Sequence, residues 1–153
     1  IQQILDHVEN VSCYSTSPTG NSVPVITVPS SYTIPKGTPF VLEGSAHDGD
    51  GDQLVYNWEQ YDTDNLSLSC PNGHPDDAAF SATAPLFRSF DPSGNGDVRY
   101  FPSLSDILGN SQTLGEILPQ VTRTAHFRLT ARDFNPAGGG MACGETIVEV
   151  DGN

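Results

Sequence analysis

Asp48, Asp50 and Asp52 alternate with Gly49 and Gly51 inside the stretch GSAHDGDGDQLVYNWEQYD, residues 44–62. Three carboxylates this close repel one another at neutral pH unless water screens them or a cation holds them. Glycine lets the backbone turn tightly, so that side-chain and carbonyl oxygens converge. The chemistry such a loop offers is capture of a hard cation. Calcium takes roughly six to eight oxygens at about 2.3–2.6 Å from flexible carboxylates and carbonyls. Magnesium demands stricter octahedral geometry and zinc prefers His or Cys, so Ca2+ is the best match. The structural alternative is a solvated hairpin loop, since Asp and Gly are favoured in any turn. An EF-hand is a poor match. Glu59 stands twelfth counting from Asp48, but Gln53 occupies the sixth position, where that loop needs glycine, and the flanking residues read as strands.

Other reactive residue types form no such constellation. His7, His47, His74 and His126 are scattered, with no HExxH pair and no Cys–His spacing of a zinc site, and no GxSxG occurs. His47 adjoins the aspartates, but a loop histidine is more often merely exposed. Arg88 and Arg99 sit among aromatics in FRSF and RYFP, where ion pairs or stacking within the fold are the expected roles. Nothing pairs a nucleophile with a base, so the chain reads as non-catalytic.

Composition narrows the field further. The 153 residues suit one domain of ordinary size with an appendage. Only 36% are apolar, whereas Gly and Pro number 15 and 12, a balance that favours short strands and many turns over long helices. The net charge of −13 repels phosphate backbones and anionic membrane surfaces, so neither nucleic acid nor membrane is an expected partner. No apolar run approaches the roughly 20 residues needed to span a bilayer. The chain starts at Ile1 without a signal peptide and reads as a piece of a longer protein.

The elements that must position the aspartates follow from periodicity. Ile1, Ile4, Leu5 and Val8 have helical spacing, which predicts a short N-terminal amphipathic helix over residues 1–12, and residues 15–22 have linker composition. This divides the chain into residues 1–20, the tail of a preceding domain plus linker, and residues 21–153, a β domain. Prolines at 24, 29, 35 and 39 confine the next segment to edge strands and turns. FVLEGSA and LVYNWEQYD alternate as half-buried strands, the second carrying the single tryptophan, Trp58. Residues 63–122 are irregular, with one helical turn at SLSDILG. This long insertion is expected to fold over the sheet and pack Phe80, Leu86, Phe87, Phe90, Tyr100, Phe101, Ile107 and Leu108. RTAHFRLTARD then turns Ala125, Phe127, Leu129 and Ala131 inward, and MACGETIVEV is the final strand. The predicted fold is all-β, an immunoglobulin-like β-sandwich. In such a sandwich the aspartate loop, the start of the first strand and the loop after the sixth strand share one end, so Asn21 and Asp133 are candidates to complete the ligand set.

Three cysteines leave at least one unpaired within the chain. In an oxidising compartment Cys70–Cys143 is the favoured pair, tying the middle region to the sheet, with Cys13 pairing outside this chain. In a reducing cytosol all three stay thiols.

PVITVPSSYTIPKGTPFVLEGSAHDGDGDQLVYNWEQYD, then LFRSF, RYFPSLSDIL, GEILPQVTRTAHFRLTARD and GGG, in that order, resemble the region after the catalytic domain of bacterial secreted reprolysin-like zinc metalloproteases. IQQILDHV with Cys13 resembles the tail of that catalytic domain. DGDGDQLVYNWE is also similar to the calcium loops of cadherin-like and polycystic-kidney-disease (PKD)-type modules, which implies Asp48, Asp50 and Asp52 as ligands. The resemblance implies a secreted, extracellular accessory domain without protease activity of its own. Its partners would be the preceding catalytic domain and a protein or polysaccharide substrate. The alternative is an adhesion or carbohydrate-binding module.

Overall fold

The computed structural model describes residues 18–63 and 75–152. The helix expected over residues 1–12, Cys13 and Cys70 lie outside them, and with them the Cys70–Cys143 pairing. Among the described residues eight strands form in chain order: β1 (Val25–Thr27), β2 (Ser31–Pro35), β3 (Phe40–Glu43), β4 (Ser45–His47), β5 (Leu54–Gln60), β6 (Val98–Phe101), β7 (Arg123–Asp133) and β8 (Met141–Asp151). A 3₁₀ turn (Pro75–Phe80) and one short helix, α1 (Leu104–Gly109), interrupt the β structure. The domain is all-β, as composition and alternation predict. Among the described residues no helix is long and apolar enough to cross a membrane.

The strands form three hydrogen-bonded groups. The largest has the order β2-β8-β7-β5, with β2 parallel to β8 and the other pairs antiparallel. The other two are the antiparallel pairs β3–β6 and β1–β4. β3 and β4 are one run of chain that changes partner at Gly44. The Gly44 N–H donates to Asp97 O at 2.9 Å, continuing the β3–β6 ladder. A Cβ there would lie 2.5 Å from Leu129 Cδ2 and 3.3 Å from Trp58, so only glycine lets the backbone pass so close to the core.

Side chains from two of these groups meet in one core: Leu42 from β3, Phe101 from β6, Trp58 from β5, Phe127 and Leu129 from β7 and Val148 from β8. Phe101 and Phe127 lie 4.9 Å apart, edge to face, and Phe40 and Phe87 complete the aromatic cluster. Each fully buried large apolar side chain contributes about 1.5–3 kcal/mol. Ala125, Phe127, Leu129 and Ala131 are all buried, as the alternation of β7 requires.

The middle region departs from expectation in two ways. It is not merely a cover, because its β6 pairs with β3 and sends Arg99 and Phe101 inward. That phase turns Tyr100 outward, since neighbours on a strand face opposite sides. Leu86, Phe87 and Phe101 are buried, whereas Phe80, Tyr100 and Leu108 are exposed. The helical turn expected at SLSDILG is α1, but its outer face carries Leu108. The segment before β6 also covers the edge of β5: Tyr56 and Ser93 exchange backbone hydrogen bonds at 2.9 and 3.0 Å.

Candidate metal centre

Asp48 follows β4 directly and Asp52 lies two residues before the start of β5, so the loop joining the two strands carries all three carboxylates. One oxygen from each residue lies within 4.8 Å of the others, and among the described residues no other such group of three His, Cys, Asp or Glu side chains occurs. Asp48 is buried, Asp52 half-buried and Asp50 exposed. The loop is organised around Asp48, whose Oδ1 accepts the N–H of Asp50 at 2.9 Å and that of Asp52 at 3.1 Å. Its Oδ2 is buried without a hydrogen-bond partner among the described residues. Gly51 has φ +81°, a backbone state that side chains disfavour.

Strand pairing brings in the other residues expected at the site. Val25 pairs with His47 in the β1–β4 ladder, and extending that register sets Ser22 opposite Asp50. The Ser22 N–H accordingly donates to Asp50 Oδ2 at 2.6 Å. Leu54 pairs with Asp133 in the β5–β7 ladder, which sets the end of β7 beside the loop. Asn135, two residues on, donates from Nδ2 to Asp52 Oδ2 at 2.8 Å. Asn21 donates from Nδ2 to both Asp133 oxygens, at 3.2 and 3.1 Å, and to Gly138 O at 3.0 Å.

All five residues singled out in the sequence therefore meet at one end of the domain, in two linked parts. Asp48, Asp50 and Asp52 form the compact oxygen cluster. Asp133 instead organises the β7–β8 loop: its Oδ1 accepts the N–H groups of Asn135 and Gly140, at 3.2 and 2.8 Å. The N–H of Gly140, then that of Asn135 and the Asn21 amide, hold the Asp133 carboxyl below the usual carboxylate range. A Cβ on Gly140 would lie 2.6 Å from Asp133 Oδ2, so this contact depends on glycine. Asn21 Oδ1 is buried with no hydrogen-bond partner among the described residues. Ser22 is the contributor that residue types alone did not single out, and extending the β1–β4 register would have found it.

Three clustered carboxylates repel by roughly 1 kcal/mol per pair in water and roughly 3–4 kcal/mol at an effective dielectric near 20. A bound cation reverses the sign of that balance. The donors are all oxygens, which suits a hard ion, and two buried oxygens, Asp48 Oδ2 and Asn21 Oδ1, have no hydrogen-bond partner among the described residues. The group could hold a metal ion. His47 is exposed beside it, as expected, and lies outside the oxygen cluster.

The remaining polar clusters are structural in character. Arg99 donates to Trp58 O, Arg88 O and Glu116 Oε1 at 2.6, 2.7 and 2.9 Å and stacks on Phe90 and Phe101. Asp62 accepts from Gln60, Arg123 and the backbone N–H of His126, and contacts His126 Nδ1 at 2.7 Å. The chain matches no protein-family model and no curated protein.

Proposed function

We propose that this chain is a non-catalytic, calcium-binding accessory domain of a secreted metalloprotease, with an immunoglobulin-like, cadherin/PKD-type sandwich fold. In the longer protein it stiffens the junction with the catalytic domain or holds protein substrate near it. The strand order supports the fold. β5-β7-β8 reproduces the C-F-G order of such sandwiches, and β1, β3–β4 and β6 correspond to A, B and E. The sequence motifs support the link to secreted metalloproteases, and the absence of HExxH supports a non-catalytic role. The observation that carries the calcium reading is the Asp48–Asp50–Asp52 cluster together with the buried Asp48 Oδ2, which has no hydrogen-bond partner among the described residues. Asp48, Asp50 and Asp52 would be direct ligands. Asn21 and Asp133 would close the site from the chain preceding β1 and from the end of β7.

A thermal melt with calcium and with chelator tests this reading. An ion that binds only the folded state raises its stability by about 2.7 kcal/mol at a hundredfold excess over Kd. For a domain of this size that is a rise in Tm of about 5–10 °C. Asp48→Asn should abolish most of the rise. Identical melts in both conditions would assign the cluster to a solvated turn.

A further inference from the structure

A hollow of about 310 Å³ adjoins the aspartate loop, lined by residues including His47, Asp48, Asp52, Leu54, Tyr56 and Gly94. Asp48 and Asp52 belong both to this wall and to the oxygen cluster. We infer that the hollow is a saccharide-binding site in which a neutral sugar presents a pair of neighbouring hydroxyls to the bound cation. The inference rests on the calcium reading above and assigns that centre a ligand.

Three arguments carry it. The first is coordination. Calcium takes roughly six to eight oxygens. Asp48 Oδ1 already accepts two backbone N–H groups, Asp50 accepts from Ser22 and Asp52 from Asn135. Asp133 is engaged by Asn21 and two backbone N–H groups. At one oxygen each, the five residues proposed as ligands supply fewer oxygens than calcium takes, which leaves positions for outside oxygens, and Asp48 and Asp52 also line the hollow. The second is charge. The chain carries −13, which repels an anionic ligand and leaves a neutral polyol unopposed. The third is the lining. Tyr56 and Leu54 supply an aromatic and an apolar wall for the C–H face of a sugar ring, and exposed His47 supplies a hydrogen-bonding ring nitrogen. A Cβ on Gly94 would meet nothing within 4 Å, so that side of the hollow is open.

The test is an NMR titration of the full chain with the neutral sugars D-mannose, D-galactose and N-acetylglucosamine and with anionic D-galacturonate, each in calcium and in chelator, with calcium binding measured separately by calorimetry. The expected result is saturable shifts at His47 and Tyr56 for at least one sugar, present in calcium and lost in chelator. Gly94→Leu should fill the hollow and abolish sugar binding while calcium affinity stays unchanged. His47→Ala should weaken sugar binding with the same calcium affinity, and loss of stacking in Tyr56→Ala should weaken it by up to about tenfold. Calcium binding without sugar shifts, or shifts that persist in Gly94→Leu, overturns this inference and leaves the calcium reading standing. Absence of calcium binding overturns both. Saturable shifts with galacturonate alone overturn the neutral-ligand assignment.

Discussion

Asp48 combines two roles in one carboxylate: Oδ1 shapes the loop through two N–H groups, while Oδ2 stays buried and unpartnered. Two other buried residues also permit sharp tests. Thr146 is buried on β8, and its hydroxyl has no partner among the described residues. A buried hydroxyl without a hydrogen bond costs stability, so Thr146→Val should be neutral or stabilising by up to about 1 kcal/mol in urea unfolding. Glu116 and Arg99 form a buried ion pair at 2.9 Å. Burial is the main cause that raises the Glu116 pKa and lowers that of Arg99, and their mutual attraction opposes both shifts. Removing one partner strands the other charge, so Glu116→Gln should cost about 3–5 kcal/mol. Arg99→Met in that background should recover part of the loss. A Glu116→Gln variant as stable as the parent would show that the pair is not needed to hold β6 in place.

At the scale of elements, α1 is too short to persist on its own and is held by its ends. Ser103 caps it by accepting the Asp106 N–H, and Asn110 closes it in the left-handed conformation at φ 46°. Asp106 accepts hydroxyl hydrogen bonds from Ser103, Ser111 and Thr113 at 2.8, 2.9 and 2.9 Å. These bonds, that of Ser103 foremost, hold its carboxyl below the ordinary value of 3.8. A folded-state pKa below the unfolded one adds stability above the unfolded value, and this is lost as pH falls through the folded value. In chelator, wild-type stability should therefore fall as pH drops below about 4. Asp106→Asn should begin less stable at neutral pH and lose less over the same range. Parallel pH profiles for the two proteins would remove Asp106 from the acid response.

For the whole molecule, the decisive feature is how strand pairing gathers an acidic tip within a chain of net charge −13. Calcium binding there should become weaker as salt screens the surrounding field, with a smaller effect on the buried Arg99–Glu116 pair. Calorimetric calcium titrations at low and high ionic strength measure this, and a salt-independent Kd would confine the attraction to the loop itself.

Much of this architecture was legible in the residues. Alternation located β5, β7 and β8, because a strand with one buried face must repeat every second residue. Asp48, Asp50 and Asp52 announced themselves because a loop needs no distant partner to bring three carboxylates together. The inward turn of Arg99 and the exposure of Tyr100 were not legible. Val98 and Tyr100 are together more apolar than Arg99 and Phe101, so alternation alone favours the opposite phase, and the register with β3 decides which neighbour faces the core. The grouping of Asn21, Ser22, Asp133 and Asn135 around the loop likewise depends on β1 pairing with β4 and β7 with β5. Local sequence determined the all-β character and the position of the charge. Only the tertiary structure decided which distant residues surround that charge and that a hollow opens beside it, because both depend on contacts between segments far apart in the chain.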